Sequence, residues 1–330
     1  MKLFGKEYES PYYRVIVIFG IKIRLMRRHR VAHLIRDQLR RDALPSFEFD
    51  AFRAFEWHLL ENNHIMNLER PEILGDKILW LRRNYYSNLP LYHRLYNKET
   101  FKDWMAEQGL SGHVPKTYGA WDSMHDVEWD LLPDQFVIKA VKGTYGREVI
   151  LVHNKSKLDM KATLARMAKW QTDGKPTRIM AEELLSEDTS GRLTDYKFFC
   201  IDGKCRFVIA YARGRDLGSV AEKTFNFYTP DWEKGKTIPD RVVIGPARAQ
   251  VRDIPRPKHL EKMLALSEKL AAYFPLVRVD LYQCGDKIYV GELTFCPADG
   301  RIRFEPREFD KIYGDMCVLP EPLPPLGGGG

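Results

Sequence analysis

Alternating polar and apolar positions organise the last third of the chain. In Arg278-Val-Asp-Leu-Tyr282, side chains i and i+2 share a strand face, so Arg278, Asp280 and Tyr282 point the same way. Gln283-Cys-Gly-Asp-Lys287 predicts a turn and Ile288–Phe295 the returning strand, which places Asp280 and Glu292 on neighbouring strands. Earlier strands are predicted at Pro115–Tyr118, Gln135–Val141, Glu148–Val152, Arg178–Leu185, Tyr196–Ile201 and Lys204–Tyr211. Residues 51–110 read as mostly helical, punctuated by Pro71 and Pro90, with the helix from Lys98 closing at Gly109. Two more helices are expected near Lys157–Trp170 and Lys258–Tyr273. No internal repeat or low-complexity segment interrupts these patterns.

Residues 11–43 are strongly basic, and their apolar part is broken by Gly20 and then alternates with Lys22 and Arg24. That run is too short to span a bilayer. It reads as a β-hairpin-like edge or a peripheral membrane contact, with an ordinary strand bearing a cationic flank as an equal alternative. Composition narrows the class: 330 residues with 44% hydrophobic content can bury a core divided among two or three lobes. A net charge of +7 favours an anionic partner. Basic and aromatic residues do not interleave as in nucleic-acid binders, so no nucleic-acid partner is expected. The five cysteines form no CxxC pair, which argues against structural zinc and for a reduced, cytoplasmic setting. No cleavable signal peptide is evident.

Two acids and an arginine aimed at one spot suit a magnesium–nucleotide site, because hard oxygens hold the metal while a planar cation meets developing negative charge. A hairpin with a solvated polar face is the commoner reading of such a pattern taken alone. The other half of a nucleotide site is sought in Gln135–Leu151. There Lys139 projects from a strand, and Gly143-Thr144-Tyr145-Gly146 permits a flap whose backbone N–H groups turn toward an anion. The spacing is not that of a Walker loop. Ile179–Leu185 carries Glu182, Glu183 and Leu184 on an apolar strand able to line an adenine. Asp195 offers a carboxylate for ribose hydroxyls, and Lys197 on the same face can aim at phosphate or substrate. Singly, each segment is as well explained by a hairpin turn or an acidic sheet edge.

As an ordered set, the segments resemble the ATP-grasp superfamily, and most of all its TupA-like, teichuronopeptide-biosynthesis branch. The set is Asp76–Trp80, Tyr96–Lys98, Phe136–Ala140, Gly143–Gly146, Ala181–Leu185, Asp195–Phe198, Arg278–Tyr282, Gly291–Phe295 and Asp299-Gly300. The resemblance implies an α+β, ATP-grasp fold in which two α+β lobes clamp ATP, preceded by a helical, basic N-terminal region. The organisation expected on that basis is a basic region over 1–73, a first ATP-grasp part with its glycine-loop lid over 74–185, a second lobe with the metal over 186–320, and a tail over 321–330. It further implies an ATP-dependent carboxylate–amine ligase working through an acyl phosphate, with ATP and Mg2+ as cofactors.

Carried over by motif, Lys98 and Lys139 hold phosphates under the Gly143–Gly146 flap, Glu182, Glu183 and Leu184 line the adenine, and Asp195 meets the ribose. Asp280, Glu292 and Thr294 bind the metal, while Arg278 and Lys197 are the catalytic pair. Arg213, Arg215, Gly300, Arg301 and Arg303 are the expected substrate residues, although several of these arginines read equally as surface charges of a basic protein. Two positions depart from the family pattern: Thr294 stands where Asn is frequent among the metal ligands, and Asn97 stands where Asp usually precedes the lysine. The partners expected are a small-molecule or glycan carboxylate and an amine such as an amino acid. The setting expected is cytoplasmic, with a peripheral contact at the inner face of the membrane. The alternatives are a kinase phosphorylating a glycan hydroxyl and a non-catalytic glycan- or membrane-binding module.

Overall fold

The computed structural model describes residues 4–9, 13–18, 21–26, 54–60, 64–141, 148–172, 178–186, 193–213, 224–233, 241–244, 250–251 and 253–326. The first strands are β1 (Phe4–Glu9), β2 (Tyr13–Ile18), β3 (Ile21–Met26), β4 (Thr117–Trp121), β5 (Phe136–Ala140), β6 (Val149–Val152) and β7 (Ile179–Glu182). The later ones are β8 (Leu193–Ile201), β9 (Lys204–Arg213), β10 (Thr224–Tyr228), β11 (Arg241–Ile244), β12 (Gln250–Val251), β13 (Leu276–Cys284), β14 (Lys287–Thr294) and β15 (Ile302–Glu305). Helices are α1 (Leu74–Asn84), α2 (Pro90–Tyr96), α3 (Lys98–Glu107), α4 (Met160–Thr172), α5 (Leu260–Ala271) and α6 (Glu308–Met316). The chain divides into two compact units.

The first unit comprises Met1–Arg83, Pro239–Ala247 and Cys296–Leu319. Its N-terminal residues form the antiparallel sheet β1-β2-β3, in keeping with the hairpin-like edge expected there; residues 27–53 lie outside the described residues. Strands β11 and β15 pair with each other. Gly75 passes so close to Gly300 that a Cβ on Gly75 would sit 2.7 Å from the Gly300 carbonyl oxygen. The same oxygen lies 2.8 Å from Nε2 of the buried His58, whose burial lowers its pKa to about 4, so the neutral ring is the donor there.

The second unit, Asn84–Ile238, Arg248–Phe295 and Pro320–Gly330, holds two sheets. The smaller runs β4-β7-β5-β6, and its core joins Phe136, Ile138, Ile150, Val152 and Ile179 to Met167 of α4. The larger runs β12-β10-β9-β8-β13-β14, with α5 packed on β8, β9 and β13. Helix α5 buries Leu260, Met263, Leu266 and Leu270, the 3.6-residue spacing legible in the sequence. Asp202 and Gly203, both at positive φ, make the two-residue turn between β8 and β9.

Helix α3 shows why Asn97 substitutes well for Asp. Asn97 is the N-cap, and its side chain accepts from the Glu99 N–H at 2.9 Å, a role that Asp and Asn fill about equally. The helix ends where expected, with Gly109 at φ +69 and the Leu110 N–H donating to the Met105 carbonyl at 2.8 Å. Tyr86, fully buried, anchors the start of β13: its hydroxyl donates to the Leu276 carbonyl and accepts from the Leu276 N–H. Tyr86→Phe should leave both backbone groups without that partner and cost about 1–3 kcal/mol in a urea melt.

Strands β10, β11, β12 and β15 and helix α6 were not anticipated from the sequence. The strands span two to five residues, too few to display a period, and β11 finds its partner β15 about sixty positions later.

Candidate active site

Beside the smaller sheet of the second unit, three lysines converge. Lys98 and Lys102 lie one turn apart on α3, beside the buried stripe of Phe101, Trp104 and Met105. Lys102 Nζ donates to the Pro115 carbonyl at 2.7 Å and Thr117 Oγ1 at 2.6 Å, and pairs with Glu182 at 2.5 Å. The antiparallel register of β5 and β7 sets Val137 opposite Glu182, so Lys139, two residues along, shares that face and pairs with the other carboxylate oxygen. Lys98 Nζ reaches the Val141 carbonyl at 3.2 Å. Two ammonium groups thus pair with one acid and the third stands on a nearby carbonyl, an arrangement suited to a polyanion.

Burial would raise Glu182, but Lys139 and then Lys102 hold it below the usual carboxylate range. Burial lowers Lys102, with Glu182 opposing. Burial first, and the Lys139 charge second, lower Lys98 to about 8.

The larger sheet carries a row of charge. Lys197 of β8, Asp280 of β13 and Glu292 of β14 occupy directly opposed positions, with Arg278 facing Thr294 one step along. Asp280 is buried, and Arg278 grips it with Nε 2.6 Å from Oδ1 and Nη2 2.7 Å from Oδ2. Lys197 Nζ lies 2.5 Å from Asp280 Oδ2 and 2.8 Å from Asp195 Oδ2. Arg278 Nη2 also donates to Glu292 Oε1 and Thr294 Oγ1, each at 3.0 Å, and the Thr294 hydroxyl donates to Glu292 Oε1 at 3.1 Å.

The row owes its geometry to a bulge. Asp280 opposes Glu292, yet Leu281 opposes Val290, so Gly291 is the extra residue. In an unbroken strand Ile288, Val290, Glu292 and Thr294 would share one face. The bulge turns Glu292 and Thr294 to the charged face while Ile288 and Val290 pair on the other.

Electrostatics differ along the row. Burial would raise Asp280, but Arg278 and then Lys197 hold it at about 2. Enclosure and then the Asp280 charge push Glu292 up, although its side chain is 60% exposed; at that exposure the facing carboxylate is the cause that survives solvation. Burial opposes the charge on Lys197, and Asp195 and Asp280 overcome it and raise its pKa.

Between the sheets, a cavity of about 430 Å³ is lined by Lys102, Lys116, Thr117 and Glu183 from one side and Lys287 and Tyr289 from the other. Glu183 closes on Lys116 through a backbone bond of 2.9 Å and a side-chain contact of 3.3 Å.

A family model described as TupA-like ATPgrasp matches residues 76–318, well over half of the chain. The chain belongs to the TupA-like ATP-grasp family. Its fold is accordingly the ATP-grasp α+β fold, and ATP binding belongs to the family. No curated protein matches. Similar solved structures include D-alanine–D-alanine ligase from Bacillus anthracis complexed with ATP, at 15% identity and TM-score 0.43, covering 68% of this chain and 65% of that one. Another is the ADP complex of PurK, N5-carboxyaminoimidazole ribonucleotide synthetase, at 15% identity and TM-score 0.40, covering 63% of this chain and 46% of that one. The ATP-grasp ligase PsnB with minimal precursor, Mg and ADP is also similar, at 15% identity and TM-score 0.38, covering 89% and 76%. The chain spans less than two thirds of the length of the first two.

Within this ATP-grasp chain the structure gathers Lys98, Lys139 and Glu182 at one centre, and Asp195, Lys197, Arg278, Asp280, Glu292 and Thr294 at a second in the same unit. Glu182 sits beneath two lysines and Glu183 faces the cavity; Leu184 follows, half-buried, and is not among the cavity's lining residues. Asp195 is drawn into the ionic row. Gly143, Thr144, Tyr145, Gly146 and Arg215 lie outside the described residues, as does the side chain of Arg213, which ends β9. Gly300, Arg301 and Arg303 belong to the other unit, where Arg301 pairs with Asp299 at 3.2 Å and Arg303 with Glu305 at 2.7 Å. Two neighbours of the site were missed from sequence: Lys102, signalled only by its one-turn spacing from Lys98, and Tyr211, whose ring lies 5.7 Å from Lys197 Nζ.

Among the described residues, no group of three or more His, Cys, Asp or Glu side chains is arranged to hold a metal ion. The donors present nevertheless fit magnesium, which keeps waters and takes one or two carboxylates with substrate phosphates. Asp280 and Glu292 face each other across one strand pair, with the Thr294 hydroxyl beside them.

Lys98 gives a pH prediction. Half neutral near pH 8 in the free protein, it should become fully charged against a triphosphate, so nucleotide binding at pH 8 takes up a proton and affinity falls as pH rises through 8. Calorimetry in buffers of differing ionisation enthalpy should show proton uptake at pH 8 and little at pH 6.5.

Proposed function

We propose that the protein is an ATP-dependent carboxylate–amine ligase, forming an amide through an acyl phosphate on a uronic acid or amino acid unit of a bacterial surface polysaccharide. The observation that carries this reading is the pairing, in one unit, of a three-lysine cluster with a carboxylate row that holds an arginine fork.

Lys98, Lys102 and Lys139 would bind and orient the triphosphate, so its terminal phosphorus meets an attacker in line. Asp280, Glu292 and Thr294 would hold magnesium, which supplies charge neutralisation at the phosphates. The acid substrate's oxygen bonds to the γ-phosphorus as the bond to ADP breaks. The amine nitrogen then bonds to the acyl carbon, phosphate leaves, and the amine proton passes to solvent or a base. Arg278 suits the planar carboxylate and the tetrahedral oxyanion that follows, since its donors form a rigid fork.

The ATP requirement favours action on the cytoplasmic side, and the basic residues 11–43 suit a peripheral contact with an anionic membrane face or a biosynthetic complex. The polysaccharide assignment draws on the TupA-like family membership and on the basic charge. The deciding assay combines Mg-ATP with uronic acids and amino acids and adds hydroxylamine as a trap. An acyl hydroxamate with phosphate release is expected. A phosphorylated hydroxyl without hydroxamate would replace the ligase by a kinase, and no substrate-stimulated ATP hydrolysis would leave a binding module.

A further inference from the structure

We propose that Arg278 is an internal placeholder for the divalent cation: it holds Asp280 and Glu292 in the free protein and is displaced from them when the metal–nucleotide binds. The proposal deepens the ligase reading and takes the identity of the cation from it.

One nitrogen carries the argument. Arg278 Nη2 lies 2.7 Å from Asp280 Oδ2, 3.0 Å from Glu292 Oε1 and 3.0 Å from Thr294 Oγ1. These are oxygens of the three residues that fit magnesium, and the guanidinium already draws them together. A magnesium ion needs its oxygens at about 2.0–2.1 Å and cannot lodge among these three while Nη2 occupies the space between them. Entry of the metal is therefore an exchange of one cation for another.

The surroundings favour this exchange. Asp280 loses Arg278 but keeps Lys197 at 2.5 Å, which itself stays fixed by Asp195 at 2.8 Å, so the carboxylate remains oriented. Glu292 is the open end of the row at 60% exposure, whereas Asp280 is 2% exposed, so the path outward for the guanidinium lies past Glu292. Once released, the Nε–Nη2 edge of the fork can receive a carboxylate or oxyanion, which it cannot do while it grips Asp280. Metal–nucleotide should therefore bind before the acid substrate, and each should strengthen binding of the other.

The test uses Mn2+ as a spectroscopic probe, titrated into the full chain without nucleotide and followed by the electron paramagnetic resonance of the free ion. Arg278→Met, which removes the competing cation, should bind Mn2+ at least tenfold more tightly than the unaltered protein. Arg278→Lys, keeping the charge without the fork, should fall between. Thermal melts supply the second measurement: Arg278→Met should melt lower without metal and gain more from Mn2+ than the unaltered protein does. Equal or weaker Mn2+ binding by folded Arg278→Met overturns the proposal, and if that variant does not fold, equal or weaker binding by Arg278→Lys does so. Because no turnover is required, tight Mn2+ binding by Arg278→Met stands even if hydroxylamine traps nothing. Absence of Mn2+ binding by every form, even with ATP added, would remove both the placeholder and the metal site of the proposed ligase.

Discussion

Asp280→Asn should abolish ATP turnover, by roughly three orders of magnitude or more, and should also weaken the fold. Asp280 is fully enclosed and accepts from Arg278 through both oxygens and from Lys197 through one. An amide cannot balance these charges, and stranding buried cations typically costs about 3–5 kcal/mol. The pH dependence is a separate readout. Burial would raise Asp280, yet Arg278 and Lys197 hold it at about 2 against an ordinary 3.8. Its contribution is therefore fully present above pH 3.8 and is lost as pH falls through about 2. By linkage this amounts to about 2 kcal/mol. Urea melts at pH 6 and pH 2.5 should show most of that loss in the unaltered protein and a smaller one in Asp280→Asn. Glu292→Gln separates chemistry from folding: with 60% of its side chain exposed, the change should stay within about 0.5 kcal/mol of the unaltered stability. Turnover should still be lost. Near-normal turnover in folded Glu292→Gln would remove the carboxylate row from the chemistry.

Lys139→Met should weaken nucleotide binding by roughly 10- to 150-fold, since a charge-assisted bond to phosphate contributes about 1.5–3 kcal/mol. Folding should survive, because Lys102 still neutralises Glu182 at 2.5 Å and the methionine stem replaces most of the lysine chain. Fluorescent-nucleotide titration reads the affinity and circular dichroism the fold. Lys139 also depresses Lys98, so its removal should raise the midpoint of the pH dependence above 8. An unchanged midpoint would mean that burial alone sets Lys98.

Local patterning determined the elements that carry the candidate site. The alternation in Arg278–Tyr282, the helix from Lys98 to the glycine stop at 109, and the strand around Lys139 all appear close to where the pattern puts them. The reason is that strand pleat, capping and turn conformation depend on neighbours within a few residues. The partnerships of those side chains are different in kind. That Glu182 lies under Lys102 and Lys139, that Asp195 joins the ionic row, and that Gly291 forms a bulge turning Glu292 toward Asp280 all depend on inter-strand register. Register is set by pairing between segments that can lie more than eighty residues apart, which no local period records. The chain's own pattern thus determined which residues stand on strands and helices, while only the folded arrangement decided which charges meet.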